Sequence, residues 1–339
     1  GTYTISGGNL NIGNNIVNGD GTGTLNIDGG TLNVSGGSIG VDNLNIANST
    51  GTNVSHTLGS GESISAGSET IGNLGTGTFN QTGGTNTVSN NLNLGVDAGG
   101  SGTYTISGGT FGVNGSIVNG AGASTLNIDG GTVNTFIIAA GSIGGSSGSV
   151  NLSGTGSLST SYEVIGNSGT GVFTQTGGTN TITNEFTIGI NSGSSGTYNL
   201  SGGTNNVTND LTIGLFSGSS GTYTISGGTL NVNGNITDGA GNSTLYNDGG
   251  TLNVAGTIDV DTYGIGGSSG SNVNHTYNGA VGFLSNLTFD SLNVGGSGTG
   301  IFTHSDGSTL GMVDLRLGMD AGGSGTYNLS GTSALSANN

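Results

Sequence analysis

Large apolar residues in this chain fall at alternate positions in short runs, and the runs recur. In TYTISGGTFGV, Tyr104 and Ile106 alternate with small polar residues, a Gly-Gly pair follows, and Phe111 and Val113 alternate again. A third run completes the unit, as with Leu92 and Leu94 in NLNLG or Leu211 and Ile213 in DLTIG. Strict alternation bounded by Gly, Asn, Asp and Ser predicts strand, corner and strand. No segment carries helical spacing.

The central large residue of the first run recurs at Tyr3, Leu25, Val54, Phe79, Tyr104, Leu126, Val150, Phe173, Tyr198, Tyr223, Leu245, Val273, Phe302 and Tyr327, with gaps of 22 to 29 residues. Periods of this size mark solenoids. The pattern therefore predicts an all-β parallel β-helix (a β-solenoid) of about 14 coils, each of roughly 25 residues with three short strands. A right-handed winding follows from the preference of parallel crossovers. Tyr104, Phe173, Tyr198 and Tyr223 are expected in an inward core ladder. One coil buries too few side chains to offset the entropy of ordering its backbone, so coils are stable only when stacked.

A longer period lies above the short one. GTYTISGGNLNIGNNIVNGDGTGTLNIDGGTLNV at residue 1 resembles GTYTISGGTFGVNGSIVNGAGASTLNIDGGTVN at residue 102 and GTYTISGGTLNVNGNITDGAGNSTLYNDGGTLNV at residue 221. No linker interrupts the repetition, so residues 1–339 read as one continuous solenoid domain. At about 4.8 Å per layer, it would extend on the order of 65 Å.

Composition sharpens this reading. The 339 residues include 77 glycines and no proline or cysteine. Collagen is excluded because no Gly-X-Y triplet exists, and a flexible low-complexity chain is excluded by the fixed apolar offsets. Glycine suits tight corners with positive φ, and proline would remove a donor from the strand ladder. The net charge of −17, with Arg316 the single basic side chain, argues against nucleic acid and anionic membranes, since both are held by Lys and Arg. No run of about 18 apolar residues is present, so no membrane insertion is expected. The absence of cysteine removes any disulfide framework. The chain opens without Met and in mid-motif, as a processed or excised piece would.

The phrases TGTFNQTGGTN and TGVFTQTGGTN, with the recurrent SGTY-x-(I/L)-SGG, resemble repeats of large bacterial surface proteins, in autotransporter-like passenger regions and in proteins sorted by a PEP-CTERM tail. The resemblance covers nearly the whole chain. It implies export and a β-solenoid at the cell surface, and no particular ligand.

Several residues invite a chemical reading. Thr2 and Thr4, Thr103 and Thr105, and Thr222 and Thr224 flank inward tyrosines and should stack on an outer face. Such a face can order water, which raises ice binding, but Asn127, Asn151, Asn199 and Tyr246 interrupt it. Gln81, Asn86, Gln175 and Asn180 stand where other coils place Ile or Leu. By alternation they face inward, with Asn180 near Asn205, and are expected to form internal amide ladders. His275 and His304 each follow a marked residue by two and should stack in adjacent coils, with Asp306 as a third group of a weak metal candidate. His56 is their equivalent nine layers away. Asp259 and Asp261 should share the outer face, where carboxylates of a polysaccharide-cleaving β-helix would act. Asp28, Asp129 and Asp248 precede Gly-Gly corners, as Asx turns would. Asp97 and Asp320 also sit at corners. Calcium is a possible ligand of such acids, although the nonapeptide calcium repeat is absent. Asn-x-Ser/Thr triplets such as those at Asn48, Asn206 and Asn242 are too common here to signal glycosylation.

The expectation is a non-enzymatic extracellular structural or adhesive rod at a bacterial cell surface, needing no cofactor. Bare coil ends expose unpaired backbone, so copies should associate head to tail through Tyr3, Ile5, Leu10 and Ile12 at one end and Tyr327, Leu329 and Leu335 at the other. Surface polysaccharide is a further partner. The alternative is a carbohydrate-binding or carbohydrate-cleaving β-helix, which needs aromatics and paired acids in an outer groove.

Overall fold

The computed structural model describes residues 1–277, 287–305 and 309–337. All regular structure in it is strand, with parallel pairing throughout the ladders and about 13 turns of β-solenoid. Internal contacts divide the chain into two compact units, one of Gly1–Phe173 with Gly177–Asn180 and the other of Thr174–Thr176 with Thr181–Asn339.

One turn of the first unit shows the construction. Thr76–Gln81, Thr85–Val88 and Leu92–Leu94 form its three faces. Ser101–Ile106 then lies on Thr76–Gln81 with Tyr104 opposite Phe79. Thr110–Asn119 covers the other two faces, placing Phe111 opposite Asn86 and Ile117 opposite Leu92. The alternating burial along each strand is what the apolar period demands: Phe79, Tyr104, Ile106, Phe111 and Val113 are buried while the threonines between them face out. Rings stack both between turns and across the interior, with Phe79 on Tyr104 of the next turn at 4.7 Å and Tyr104 on Phe111 of another face at 4.4 Å between centroids.

Glycine makes the close spacing feasible. Gly109 turns a corner at φ +83°, and a Cβ there would stand 2.3 Å from the carbonyl oxygen of Gly84 one turn below. Gly102 has an ordinary φ, but its Cβ would lie 2.2 Å from the Ile71 carbonyl oxygen, so here the close approach of backbones excludes a side chain.

The second unit repeats the plan. Ser195–Val207 carries Ser220–Ile225 with Tyr198 opposite Tyr223, and their rings stack at 4.6 Å. Asn242–Asn247 follows with Leu245 opposite Tyr223. A separate three-stranded sheet joins Asn272–Tyr277, Thr299–His304 and Ser324–Leu329. Phe173 in the first unit is buried, as are Tyr198 and Tyr223 in the second.

The register corrects the sequence reading at two marked residues. Val54 lies opposite Gly77, and His56 lies opposite Phe79. Likewise Val273 lies opposite Gly300, and His275 opposite Phe302. In both turns the histidine, not the valine, is in register with the aromatic residue of the next turn, and buried His56 joins the aromatic column. The winding is also uneven. Asn26 and Asn45 pair across only 19 residues, and Ser243 and Asp261 across 18. At both short turns the strand is held by a carboxylate: Asp42 accepts from Gly23 N at 2.7 Å, and Asp261 from Ser243 N at 2.9 Å.

Candidate functional site

The most concentrated polar chemistry lies inside the first unit. Ser63–Ile71 ends in Glu69, Thr70 and Ile71, and alternation turns Glu69 inward with Ile71, between Leu44 and Leu92 of the adjoining turns. Asn86 Nδ2 donates to Glu69 Oε2 and to the Tyr104 hydroxyl, both at 3.1 Å. The Tyr104 O–H donates to Gln81 Oε1 at 2.6 Å, and Gln81 Nε2 donates to the Thr110 carbonyl at 2.9 Å and that of Gly84 at 3.3 Å. All four side chains are buried.

Burial sets the charge state. Removing an ionised carboxylate from water is so costly that the group retains its proton instead. Desolvation accordingly raises the Glu69 pKa to about 8, against a smaller opposing contribution from Asn86. Glu69 Oε1 and Asn86 Oδ1 are buried and have no hydrogen-bond partner. A neutral carboxyl supplies a donor there, where an ionised one would add another acceptor. Desolvation first, and the nearby Glu69 second, push the Tyr104 phenol well above its ordinary value. Glu163 repeats the arrangement in the same unit: it lies opposite Ile138, accepts from Asn180 Nδ2 at 2.9 Å, and is raised to about 8 by burial.

The amides face inward, but they do not ladder with one another. Gln81 and Asn86 are tied through a tyrosine hydroxyl, a carboxyl and backbone carbonyls. In the second unit, Gln175 accepts from the Tyr198 hydroxyl at 2.6 Å and donates to the Thr204 carbonyl at 2.9 Å, while Asn205 donates to the Tyr223 hydroxyl at 3.0 Å. Successive amides would have to occupy the same column; the register places Gln81 opposite Leu58 and Ile106. Amide ladders form on the outside instead. Asn151 donates to Asn127 at 2.9 Å and Asn127 to Thr105 at 3.1 Å. Asn253 donates to Asn231 and Asn231 to Asn206, both at 2.8 Å.

The register does not pair the two histidines with each other. His275 is in register with Phe302, and His304 with Tyr277. Buried His304 meets the Tyr327 hydroxyl through Nδ1 at 3.0 Å. Asp306 and the side chain of His275 lie outside the described residues. His56 presents an edge-on contact to Phe79 at 5.5 Å, and desolvation lowers its pKa to about 4, so it is a neutral member of the aromatic column.

The acids divide by role. Asp28 accepts from the backbone N–H of Asn48 at 2.6 Å, and Asp248 from that of Gly267 at 2.7 Å. Asp129 accepts from Ser153 Oγ at 2.7 Å. These aspartates pin the next turn's corner rather than closing Asx turns of their own, because stacking brings that corner within reach. Asp259 and Asp261 both face outward around buried Val260. They act electrostatically on Asp238, whose pKa rises to about 6 chiefly through desolvation. Of the residues expected at the ends, Ile5 is buried, Tyr3 and Leu329 are exposed, and Leu10, Ile12, Tyr327 and Leu335 are half-buried.

Glu69, Glu163 and Asp42 were the residues that sequence reasoning missed. A signal existed for the two glutamates: Glu69–Ile71 and Glu163–Ile165 occupy the third run, where other turns read Leu-x-Leu or Leu-x-Ile, and both are followed by Gly-Asn. No protein family, curated protein or solved structure matches the chain.

Proposed function

We propose that this chain is a non-enzymatic structural and adhesive β-solenoid of a bacterial cell surface, a rod or fibre subunit lying outside the cell. The observation that carries the reading is how polar side chains are used. Outward Asn and Thr residues bond from turn to turn, as Asn151, Asn127 and Thr105 do, and inward Gln, Asn and Glu residues bond to groups of neighbouring strands, as Gln81, Asn86 and Asn180 do. Most polar chemistry thus joins one turn to the next, which suits a scaffold. The surface-protein resemblance of the TGTFNQTGGTN phrase supports the location, and the net charge of −17 suits a solvated exterior.

Copies associate head to tail in this reading. An incoming strand in parallel register on Thr2–Ile12 would meet Tyr3, Ile5, Leu10 and Ile12, and one on the last turns would meet Tyr327, Leu329 and Leu335. Each would extend the backbone ladder and the apolar column together. Electron microscopy of native material and of concentrated protein tests this, with end-to-end filaments expected. Particles that remain single at high concentration would refute the association. Release of reducing sugar from neutral or acidic polysaccharide, abolished by Asp259→Ala and Asp261→Ala, would refute the non-enzymatic role.

A further inference from the structure

The three copies of the long repeat differ at one outer column. In the first copy it reads Thr4, Asn26 and Asn45, and in the second Thr105, Asn127 and Asn151. Each asparagine donates Nδ2 to the residue one turn before, at 2.8 to 3.1 Å. In the third copy the same column reads Thr224, Tyr246 and Gly264, then Asn293 and Arg316. Two ladder amides have been replaced by a phenol and a glycine, so the inter-turn bonds present in both other copies are forfeited here.

The replacement builds a concavity. The Tyr246 ring lies down over Gly264, where a Cβ would stand 2.3 Å from Cδ1 and 2.6 Å from Cε1. Asparagine at 264 is thus incompatible with this ring position. Beside the ring opens a groove of 270 Å³, lined also by Thr224, Asp248, Ser268, Asn293 and Asp320. Gly264 has no side chain to offer Asn293, whose Oδ1 is buried and has no hydrogen-bond partner. Asp248 is a fixed acceptor, held by Gly267 N and Ser268 Oγ. Arg316 stands in register on the following turn, paired with Asp314 at 2.6 Å.

An aromatic ring on the wall of a polar groove, with amide, hydroxyl and carboxylate groups around it, matches the chemistry of a sugar ring. The C–H face of a pyranose packs on an aromatic, and its hydroxyls both donate and accept. Asp248 and Asp320, on a chain of net charge −17, repel acidic sugars. We propose that the Tyr246 groove binds a neutral glycan, one hexopyranose ring lying against Tyr246 with its hydroxyls on Thr224, Asn293 and Asp320. Successive sugars would run across the turns toward Arg316. The site does not depend on the scaffold role: its failure leaves end-to-end assembly untouched, and the reverse also holds.

Saturation-transfer NMR and calorimetry with cellohexaose, laminarihexaose, chitohexaose and, as an acidic control, hexagalacturonate test the proposal. At least one neutral hexaose is expected to bind and hexagalacturonate is not. Y246A should weaken binding roughly tenfold or more. The double variant Y246N/G264N writes the residues of the first two copies into the third. It should restore the ladder, keep the strand circular-dichroism signal and lose the sugar. Absence of binding by every neutral hexaose at millimolar concentration would overturn the proposal. So would equal binding by the native chain and folded Y246N/G264N, or a preference for hexagalacturonate.

Discussion

Replacing Glu69 by Gln should stabilise the protein at neutral pH and leave it unchanged in acid. The carboxyl has a pKa of about 8 when buried, against an ordinary value of 4.5. Between those values the folded chain holds a proton that the unfolded chain has released. Stability contributed by that proton is fully present below pH 4.5 and declines as pH rises toward 8, after which the loss levels off. Each pH unit in the window is worth about 1.4 kcal/mol, so the loss reaches roughly 3 kcal/mol at pH 7. Glutamine keeps the shape, accepts from Asn86 Nδ2 as Glu69 does, and offers an N–H in place of the retained proton, without titrating. Urea denaturation of native protein and E69Q, at steps from pH 4 to 9 and followed by circular dichroism, measures the difference directly. The two transitions should coincide near pH 4 and diverge as pH rises, with E69Q the more stable. Adding E163Q should flatten the profile further, since Glu163 is raised to about 8 by the same burial. Parallel pH profiles for native and E69Q proteins would refute the claim that Glu69 is neutral in the core.

Three other outcomes follow from the geometry. Tyr104→Phe keeps the stack on Phe79 but leaves Gln81 Oε1 without its donor, and should lower stability by roughly 1–3 kcal/mol, read from the urea midpoint. Gly109→Ala forces a side chain into φ +83° with its Cβ 2.3 Å from a backbone oxygen; a loss greater than about 2 kcal/mol is expected in thermal melts, and an unchanged melt would show the corner is more open than described. Asp42→Ala and Asp261→Ala each remove the carboxylate that holds a short turn. Each should cost roughly 1–3 kcal/mol, whereas Asp97→Ala, at an exposed corner, should stay within about 0.5 kcal/mol.

Much of the architecture was legible because two periods suffice to define it. Alternation assigns each side chain to the inside or outside of a strand, and repetition every 22 to 29 residues makes parallel stacking the way to bury all the inward faces together. Tyr104, Phe173, Tyr198 and Tyr223 could be placed inside on those grounds alone. What alternation leaves open is which residue lies opposite which, because a strand shifted by two keeps the same side chains inward. That freedom is why Val54 and Val273 were set opposite the aromatic residues with which His56 and His275 are in register.

The chemistry of the site needed the third dimension for the same reason. Gln81 and Asn86 were recognisable as inward amides, but their partners are a carboxyl 17 residues before Asn86 and a hydroxyl 18 residues after it. A carboxyl such as Glu69 looks like a surface residue until stacking buries it beside an amide. The Tyr246 groove is likewise a product of neighbouring turns, since a phenol on one strand lies flat only because the next strand offers Gly264. The sequence by itself determined strands, faces and the need to stack, since these follow from local periodicity. Only the tertiary structure decided register, the two short turns, the proton on Glu69 and the shape around Tyr246, since each depends on atoms that meet after a full turn of winding.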